Sequence, residues 1–355
     1  MRLSVSVRCS GALLWCMLLN SVVPGSGFFD VGNVAEMMKS NLAAAYSYTK
    51  HNTYCKALEC CSLDYIYYDL DALGKMLEKN LFGQHIARTV VVGAIGGHLK
   101  NIATSEKPLV ISFHGAPGTG KNYIAEHVAR ALYKKGMESK FVHKYLGRID
   151  FPLESRLEEY RVQLVSDITS AIAQCPQSLF IFDEVEKMPP GLFDSIVSLL
   201  DNHAYSRHHD YRQAIFIFLS NIGGPEIAAE LKQLMKAGKW REDTKMHDFE
   251  RTLEISAYNL DGGLLRSELI ESHVIDHFIP FLPLEQRHVE SCIKKEYNKL
   301  TGRWNIQEDF LHEIFKEAVT MDNEGLFSNN GCKRVSKKVE ALYYNRLRKN
   351  PNEEL

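Results

Sequence analysis

The sequence predicts an α/β fold, a parallel five-stranded sheet flanked by helices and followed by a small α-helical C-terminal domain. Apolar, β-prone runs alternate with segments of helical spacing, and this alternation is typical of parallel sheets. The five runs are 109–114, 141–146, 179–182, 215–219 and 274–278. After Pro280 and Pro283, the patterns at 285–299, 307–319 and 333–348 are helical, which predicts the second, smaller domain.

Length and composition agree with two domains. The chain has 355 residues, of which 45% are hydrophobic, enough for two packed cores. We place the sheet domain at 71–282 and the helical domain at 283–355, after a lead-in of unassigned role at 28–70. The net charge of -2, from 42 basic and 44 acidic residues, gives no indication of nucleic-acid binding.

Residues 1–27 have the layout of a secretory signal peptide. Arg2 and Arg8 precede an apolar stretch at 11–19, and small residues follow at 25–27. The apolar core is too short for a membrane span, which needs about 20 residues. We therefore expect cleavage, with an uncleaved anchor as the alternative, and a mature protein in a lumen or outside the cell.

A phosphate-binding loop is predicted between the first strand and the helical pattern at 123–133. Its residues are Gly115, Ala116, Pro117, Gly118, Thr119, Gly120, Lys121 and Asn122. In this setting backbone N–H groups and the helix N-terminus point at phosphates, and Lys121 adds a positive charge, so ATP is the expected ligand. Asn122 stands where Ser or Thr usually binds Mg²⁺, and its amide oxygen can still coordinate the metal.

Polar residues end two further strands. Asp183 and Glu184 follow the third apolar run, and Asn221 follows the fourth. We expect Asp183 to hold Mg²⁺ through water, Glu184 to accept a proton from the attacking water, and Asn221 to orient that water. The alternatives are solvated acids at the end of a strand and a strand cap.

Six cysteines lie outside the predicted signal peptide. They are Cys55, Cys60, Cys61, Cys175, Cys292 and Cys332. An even number in an oxidising compartment favours disulfides, although the residues alone select none of the many pairings. Zinc binding is the alternative, but the cluster at 55–61 lacks the paired spacing of structural zinc sites.

Taken together, these motifs resemble an AAA+ ATPase and, more narrowly, the torsin family, whose members are relatives of the Clp-type unfoldases. The resemblance covers about 54–339. Its specific marks are 54–55, 59–61, 81–85, 118–122, 180–184, 216–221, 238–243, 280–285 and 331–333. Torsins characteristically have Asn at the position of Asn122.

The resemblance implies further site residues and a location. Asn221 would be sensor 1, and Lys333 would be sensor 2, a lysine that reaches the nucleotide from the small domain. Cys292 and Cys332 would form a disulfide beside that contact. The implied location is the lumen of the endoplasmic reticulum and nuclear envelope, with retention through partners or peripheral membrane association because residues 351–355 are not a Lys-Asp-Glu-Leu signal.

Two departures from the Clp-type pattern bear on mechanism. Residues 147–152 lack the aromatic-glycine pore loop, which puts polypeptide threading in doubt. The helix at 267–273 lacks an arginine near its end, where Clp relatives supply a finger to the neighbouring site. Since such an arginine contributes about 10³- to 10⁵-fold in rate, we expect feeble ATPase activity alone. The resemblance implies that a transmembrane activator with an AAA+-like luminal domain donates the arginine.

The expected function is chaperone-like, ATP-dependent remodelling of protein or membrane-linked complexes. The protein would act on protein clients as a homo- or hetero-oligomer. An ATP-gated binding scaffold with little turnover is the alternative, although a scaffold has no need of a base such as Glu184. A small-molecule kinase is a further alternative, disfavoured by the sensor residues and the helical C-terminal domain.

Overall fold

A computed structural model describes residues 55, 59–201, 209–259 and 261–349. The predicted signal peptide at 1–27, most of the lead-in at 28–70 and residues 350–355 lie outside this description. Residues from Glu59 onward belong to one compact unit, which contains the sheet and the candidate site. Within the described ranges, every helix is too short or too polar to cross a membrane.

The described residues contain strands and helices in alternation. The strands are β1 (Leu109–His114), β2 (Val142–Leu146), β3 (Leu179–Asp183), β4 (Ile215–Ser220) and β5 (His277–Pro280). The helices are α1 (Leu70–Asn80), α2 (His85–Lys100), α3 (Lys121–Leu132), α4 (Gly147–Asp150), α5 (Leu157–Gln174), α6 (Val197–Leu200), α7 (Gly224–Lys236), α8 (Glu250–Asn259), α9 (Glu268–Glu271), α10 (Gln286–Thr301), α11 (Glu308–Ala318) and α12 (Val335–Lys349).

The sheet is parallel throughout and has the strand order β2-β3-β4-β1-β5. Every residue of β1, β3 and β4 is buried, because helices cover both faces of the sheet. This burial explains why these strands are continuous apolar runs rather than alternating ones. The predicted five-stranded parallel sheet is confirmed, and so is the helical C-terminal region.

Successive residues of each strand enter different cores. On one face, phenylalanines of β3 and β4 stack in register, with ring centroids 4.7 Å apart for Phe180 and Phe216 and 5.0 Å apart for Phe182 and Phe218. Ile181 and its neighbours enter the core on the other face, with residues of α1, α2 and α3. Each aromatic pair adds about 0.5–1.5 kcal/mol beyond its burial, so the central strands are firmly held.

The fifth strand begins later than predicted, at His277 rather than Val274. Val274 and Ile275 are buried, which explains their apolar character, but they pack outside the ladder. Asp276 makes the first contacts with β1. Its carboxylate accepts a hydrogen bond from the N–H of Val110 at 2.8 Å, and its own N–H donates to the Val110 carbonyl at 2.9 Å. Regular pairing with β1 follows from His277.

Helices α10, α11 and α12 pack around a separate apolar cluster that includes Ile293, Ile314 and Val339. Their ends agree with the predicted helices to within two residues. The predicted disulfide Cys292–Cys332 is present and joins α10 to the segment before α12. The domain limits at 282 and 283 stay a prediction.

A second disulfide, Cys61–Cys175, joins the start of the compact unit to the end of α5. The remaining two cysteines of the cluster, Cys55 and Cys60, are also disulfide-bonded. Oxidation of these cysteines favours the disulfide interpretation over the zinc alternative. Among the described residues, no group of three or more His, Cys, Asp or Glu is placed to hold a metal ion.

Candidate active site

A cavity of about 630 Å³ lies where β1, β3 and β4 end. This is the edge of a parallel α/β sheet at which ligands usually bind, and the volume suits a nucleotide. The sequence-predicted site residues that line it are Pro117, Gly118, Thr119, Gly120, Lys121, Asn122, Asp183, Glu184, Asn221, Cys292, Cys332 and Lys333. Gly115 and Ala116 do not line the cavity but contribute carbonyl groups to its lysine, as described next.

Lys121 is the buried cation of the phosphate loop, with 8% of its surface exposed. Its ammonium donates to the carbonyl oxygens of Gly115 at 2.6 Å and Ala116 at 3.1 Å, and to the amide oxygen of Asn221 at 3.0 Å. The pKa of Lys121 is lowered to about 8, chiefly by burial and to a smaller extent by the nearby Lys333, whereas Glu186 and Asp183 act in the opposite direction.

The lowered pKa of Lys121 predicts a pH-dependent nucleotide affinity. The ammonium is charged below pH 8 and loses its proton above it, so attraction for phosphates falls as pH rises. Between pH 8 and 9 we expect the dissociation constant for ATP to rise about fivefold, measured by titration calorimetry. Lys295 also lines the cavity, and burial lowers its pKa to about 8. A Lys295→Arg variant should therefore keep the profile, and an unchanged affinity up to pH 9.5 would contradict the assignment.

Asn221 is held between Lys121 and a carboxylate that the sequence analysis did not identify. Its amide nitrogen donates to Glu186 Oε1 at 2.6 Å, and its backbone N–H donates to Glu186 Oε2 at 3.2 Å. These bonds fix which end of the amide faces Lys121. Glu186 lies two residues after Glu184, and its position in an acidic run was the only signal for it.

Asp183 forms an ion pair with a lysine of the neighbouring strand. Its carboxylate lies 3.0 Å from the ammonium of Lys144 on β2. Asn122 is the second residue of α3, is exposed and lines the same cavity. Carboxylate and amide oxygens are the donors that Mg²⁺ prefers, so Asp183 and Asn122 fit that ion.

Glu184 is placed by an unusual backbone. Its φ of 57° and ψ of 48° lie in the left-handed region, which costs of order 1–3 kcal/mol for a residue other than glycine. Its carboxylate lies 3.0 Å from Nε of Arg148, and 31% of its side chain is exposed. The predicted base is therefore at the cavity surface, paired with a guanidinium from the same chain.

Lys333 comes to the cavity with a segment that touches the phosphate loop directly. The N–H of Cys332 donates to the carbonyl of Gly118 at 3.0 Å. A Cβ atom at Gly118 would lie 2.2 Å from the Asn330 carbonyl oxygen, so only glycine permits this approach. The contact places Lys333 beside the loop, and its role as sensor 2 stays a prediction.

Gly331→Ala should weaken nucleotide binding through this contact. The new Cβ would lie 2.4 Å from the Gly118 carbonyl oxygen and would push the Lys333 segment away from the loop. We expect about tenfold weaker ATP binding, the equivalent of one lost charge-assisted hydrogen bond. The matched control is Gly325→Ala, since Gly325 also has a positive φ of 69° but open space around it. Equal ATP affinity in the two variants would contradict the expectation.

Gln84 supports the phosphate loop from behind and was not identified as a site residue. Its buried side-chain amide donates to the carbonyl oxygens of Thr119 at 3.1 Å and Leu282 at 2.8 Å, and accepts from the Leu282 N–H at 2.8 Å. The loop is thus tied to the chain that leaves β5. Its place in the 81–85 motif was the available signal.

Arg241 makes a second buried connection near the same point. It is 3% exposed and donates to the carbonyl oxygens of Pro283 at 2.8 Å and Gly83 at 2.7 Å. Burial lowers the pKa of Arg241 to about 10, so the guanidinium stays charged at neutral pH. It joins the turn between α1 and α2 to the segment between β5 and α10.

Helix α9 carries no arginine. The nearest one, Arg266, precedes the helix in a left-handed conformation. Of the described residues that line the cavity, one is an arginine: Arg148, on α4 after β2. Residues 147–152, which lack the Clp-type pore loop, therefore supply the arginine that is paired with Glu184.

The strand order and the site together define the AAA+ fold, with a phosphate loop after β1, carboxylates at the end of β3, an asparagine after β4 and a helical C-terminal region. Solved structures agree. The S. cerevisiae Hsp104-ADP complex has a TM-score of 0.54 at 18% identity and covers 80% of this chain. Hsp104 with ATPγS and FITC casein has a TM-score of 0.54 at 16% identity and covers 79%. The chain spans about half of each, 48% and 47%.

Sequence relatives narrow this class. The Torsin family model matches residues 55–182. A torsin-like protein of Drosophila melanogaster is 47% identical over 302 residues, which cover 84% of this chain and 88% of that protein. A torsin-like protein of Caenorhabditis elegans is 40% identical over 301 residues, with 84% of each covered. The chain belongs to the torsin family.

Proposed function

We propose that the protein is a chaperone-like ATPase of the endoplasmic reticulum and nuclear envelope lumen that is weakly active alone. A transmembrane partner with an AAA+-like luminal domain would activate it by donating an arginine. The energy of hydrolysis would serve to remodel protein clients or membrane-linked complexes. Membership of the torsin family and the AAA+ fold support the ATPase and chaperone-like part of this proposal.

The observation that carries the proposal is the convergence of the site residues on one cavity. The ammonium of Lys121 donates a hydrogen bond to the side-chain oxygen of Asn221 at 3.0 Å, and Asp183 and Glu184 line the same cavity. Lys333 lines it from the helical C-terminal region. These groups come from the loop after β1, from the ends of β3 and β4 and from the helical C-terminal region, and hydrolysis of a bound nucleotide would use them together.

The chain's residues have distinct roles in the proposed reaction. Lys121 and the N–H groups of the phosphate loop bind the phosphates, and Lys333 senses the nucleotide from the helical region. Glu184 accepts a proton from the attacking water, which Asn221 orients. When bound, Mg²⁺ would neutralise phosphate charge, and Asp183 and Asn122 are the residues that would hold it.

Two features support the finer points. The layout of residues 1–27 supports entry into a secretory lumen, in keeping with the disulfides Cys61–Cys175 and Cys292–Cys332. The absence of arginine from α9 supports the need for one supplied by a partner. Assembly as a homo- or hetero-oligomer is expected on the same ground, because a finger acts on a neighbouring site.

The test is steady-state ATP hydrolysis by oxidised protein without residues 1–27. It is measured with and without solubilised nuclear-envelope membrane proteins, and Glu184→Gln is the blank. We expect a slow rate alone and a many-fold higher rate with the extract, absent from the blank. Fast hydrolysis without extract would contradict partner dependence, and binding without turnover in either condition would contradict the ATPase.

An ATP-gated binding scaffold is the second candidate. One observation favours it: Asp183 and Glu184 are each ion-paired with a basic side chain, Lys144 and Arg148. A site whose carboxylates are held in this way would bind nucleotide through Lys121 and the phosphate loop without promoting its hydrolysis. The hydrolysis assay separates the two functions, since a scaffold binds ATP with and without the extract and hydrolyses it in neither.

A further inference from the structure

We propose that Arg148 is a catalytic residue that contacts the terminal phosphate of ATP from within the same chain. The proposal rests on the proposed function, because it concerns the same cavity and the same nucleotide. In the structure the guanidinium lies on Glu184, and we infer that it transfers to the phosphate when ATP binds. The assignment depends on where the backbone of α4 lies, on how weakly Arg148 is held and on the chemistry of its side chain.

The backbone that carries Arg148 is fixed beside Glu184. Strands β2 and β3 are paired in parallel with Leu146 opposite Asp183, so the residues that follow each strand lie side by side. Gly147 packs against Glu184 so closely that a Cβ atom there would lie 2.4 Å from the Glu184 carbonyl oxygen. Asp150 accepts the N–H of Leu146 at 2.6 Å and holds the turn of α4.

The side chain of Arg148, by contrast, is only lightly held. Its side chain is 64% exposed, and its ion pair with Glu184 joins Nε to Oε2 at 3.0 Å. Exposed pairs of this kind contribute little to stability. Breaking the ion pair with Glu184 therefore costs the guanidinium little free energy. The fixed backbone of Arg148 keeps the side chain at the cavity wall beside Glu184 and Asp183.

The chemistry of the guanidinium suits the end of a phosphate chain. It is always charged, and it presents five N–H donors in a fork that matches phosphate oxygens. Arg148 is the arginine that lines the cavity in the described part of the chain, next to the predicted base. A phosphate oxyanion is a stronger partner for this fork than a single exposed carboxylate oxygen. Release of Glu184 by the same movement frees its carboxylate for the attacking water.

A contact to the terminal phosphate predicts discrimination between ATP and ADP. The test compares Glu184→Gln with the double variant Arg148→Ala, Glu184→Gln in the oxidised protein, by titration calorimetry with ATP and ADP in the presence of Mg²⁺. The glutamine background prevents turnover and already removes the ion pair to Arg148. Any remaining effect of Arg148→Ala then comes from another partner. We expect about tenfold weaker ATP binding and unchanged ADP binding.

Two further variants sharpen the test. Arg148→Lys in the same background keeps the charge and should recover part of the preference for ATP. Arg156→Ala is the matched control, because Arg156 is an exposed arginine paired with Glu159 outside the cavity, and it should change neither affinity.

The remaining outcomes contradict the proposal in distinguishable ways. Unchanged affinity for both nucleotides after Arg148→Ala would leave Arg148 as a partner of Glu184 only, and the proposed function would stand. Equal weakening of ATP and ADP would assign the residue to the shared phosphates or to folding instead. If the unaltered protein bound neither nucleotide, the proposed function and this role of Arg148 would both be wrong.

Discussion

Glu184→Gln is expected to reduce partner-stimulated ATP hydrolysis by at least about 100-fold, because a positioned general base contributes roughly 10²- to 10⁴-fold in rate. Glutamine keeps the size of the side chain but cannot accept a proton from water. ATP binding should persist, since Lys121 and the phosphate loop do not depend on Glu184. The measurement is hydrolysis at saturating ATP, together with the dissociation constant for ATP.

Glu159→Gln is a suitable control, because Glu159 is exposed and lies outside the cavity. It should leave both the rate and the affinity unchanged. A stimulated rate that survives in Glu184→Gln would show that another group accepts the proton. Loss of ATP binding in the variant would instead make Glu184 part of the binding surface.

Arg241→Ala is expected to lower the free energy of unfolding by about 3 kcal/mol, since each buried carbonyl left without a donor costs about 1–3 kcal/mol. The variant strands the carbonyl groups of Gly83 and Pro283, which Arg241 bonds at 2.7 and 2.8 Å. Both groups lie beside the segments that enter the cavity. Urea denaturation monitored by fluorescence gives the change in unfolding free energy.

Arg251→Ala provides the comparison, because Arg251 is an exposed arginine on α8. It should change the unfolding free energy by less than about 0.5 kcal/mol. If Arg241→Ala were as stable as this control, the buried hydrogen bonds of Arg241 would not be a structural connection. A stable Arg241→Ala variant with weakened ATP binding would place its effect in the cavity alone.

Burial explains which strands the sequence predicts well. The runs that became β1, β3 and β4 are buried on both faces, so an unbroken apolar stretch marks each strand to within one residue. At β5 the same signal misleads, because Val274 and Ile275 are buried without pairing in the sheet. Apolarity reports burial, and it reports strand pairing only where the two coincide.

The candidate site divides in the same manner. Lys121, Asp183, Glu184 and Asn221 stand at fixed offsets from strands, so spacing along the chain identifies them. Gln84 and Arg241 form hydrogen bonds with residues far away in sequence, for instance Gln84 with Leu282. The spacing of residues along the chain does not indicate such pairs. Arg148 and Lys144 were missed for another reason, since a basic residue in or after a strand resembles any solvated charge.

The hydrogen bond from Cys332 to Gly118 connects the helical C-terminal region directly to the phosphate loop. If nucleotide favours one placement of that region, the free energy of that preference is shared between the two events. Suppose that a second molecule binds the outer side of α10 or α12 only in that placement. By reciprocity, it increases the affinity for nucleotide by the same factor by which nucleotide increases the affinity for the second molecule. The affinity of the phosphate loop for ATP would then depend, through the carbonyl group of Gly118, on what is bound to a surface that does not contact ATP.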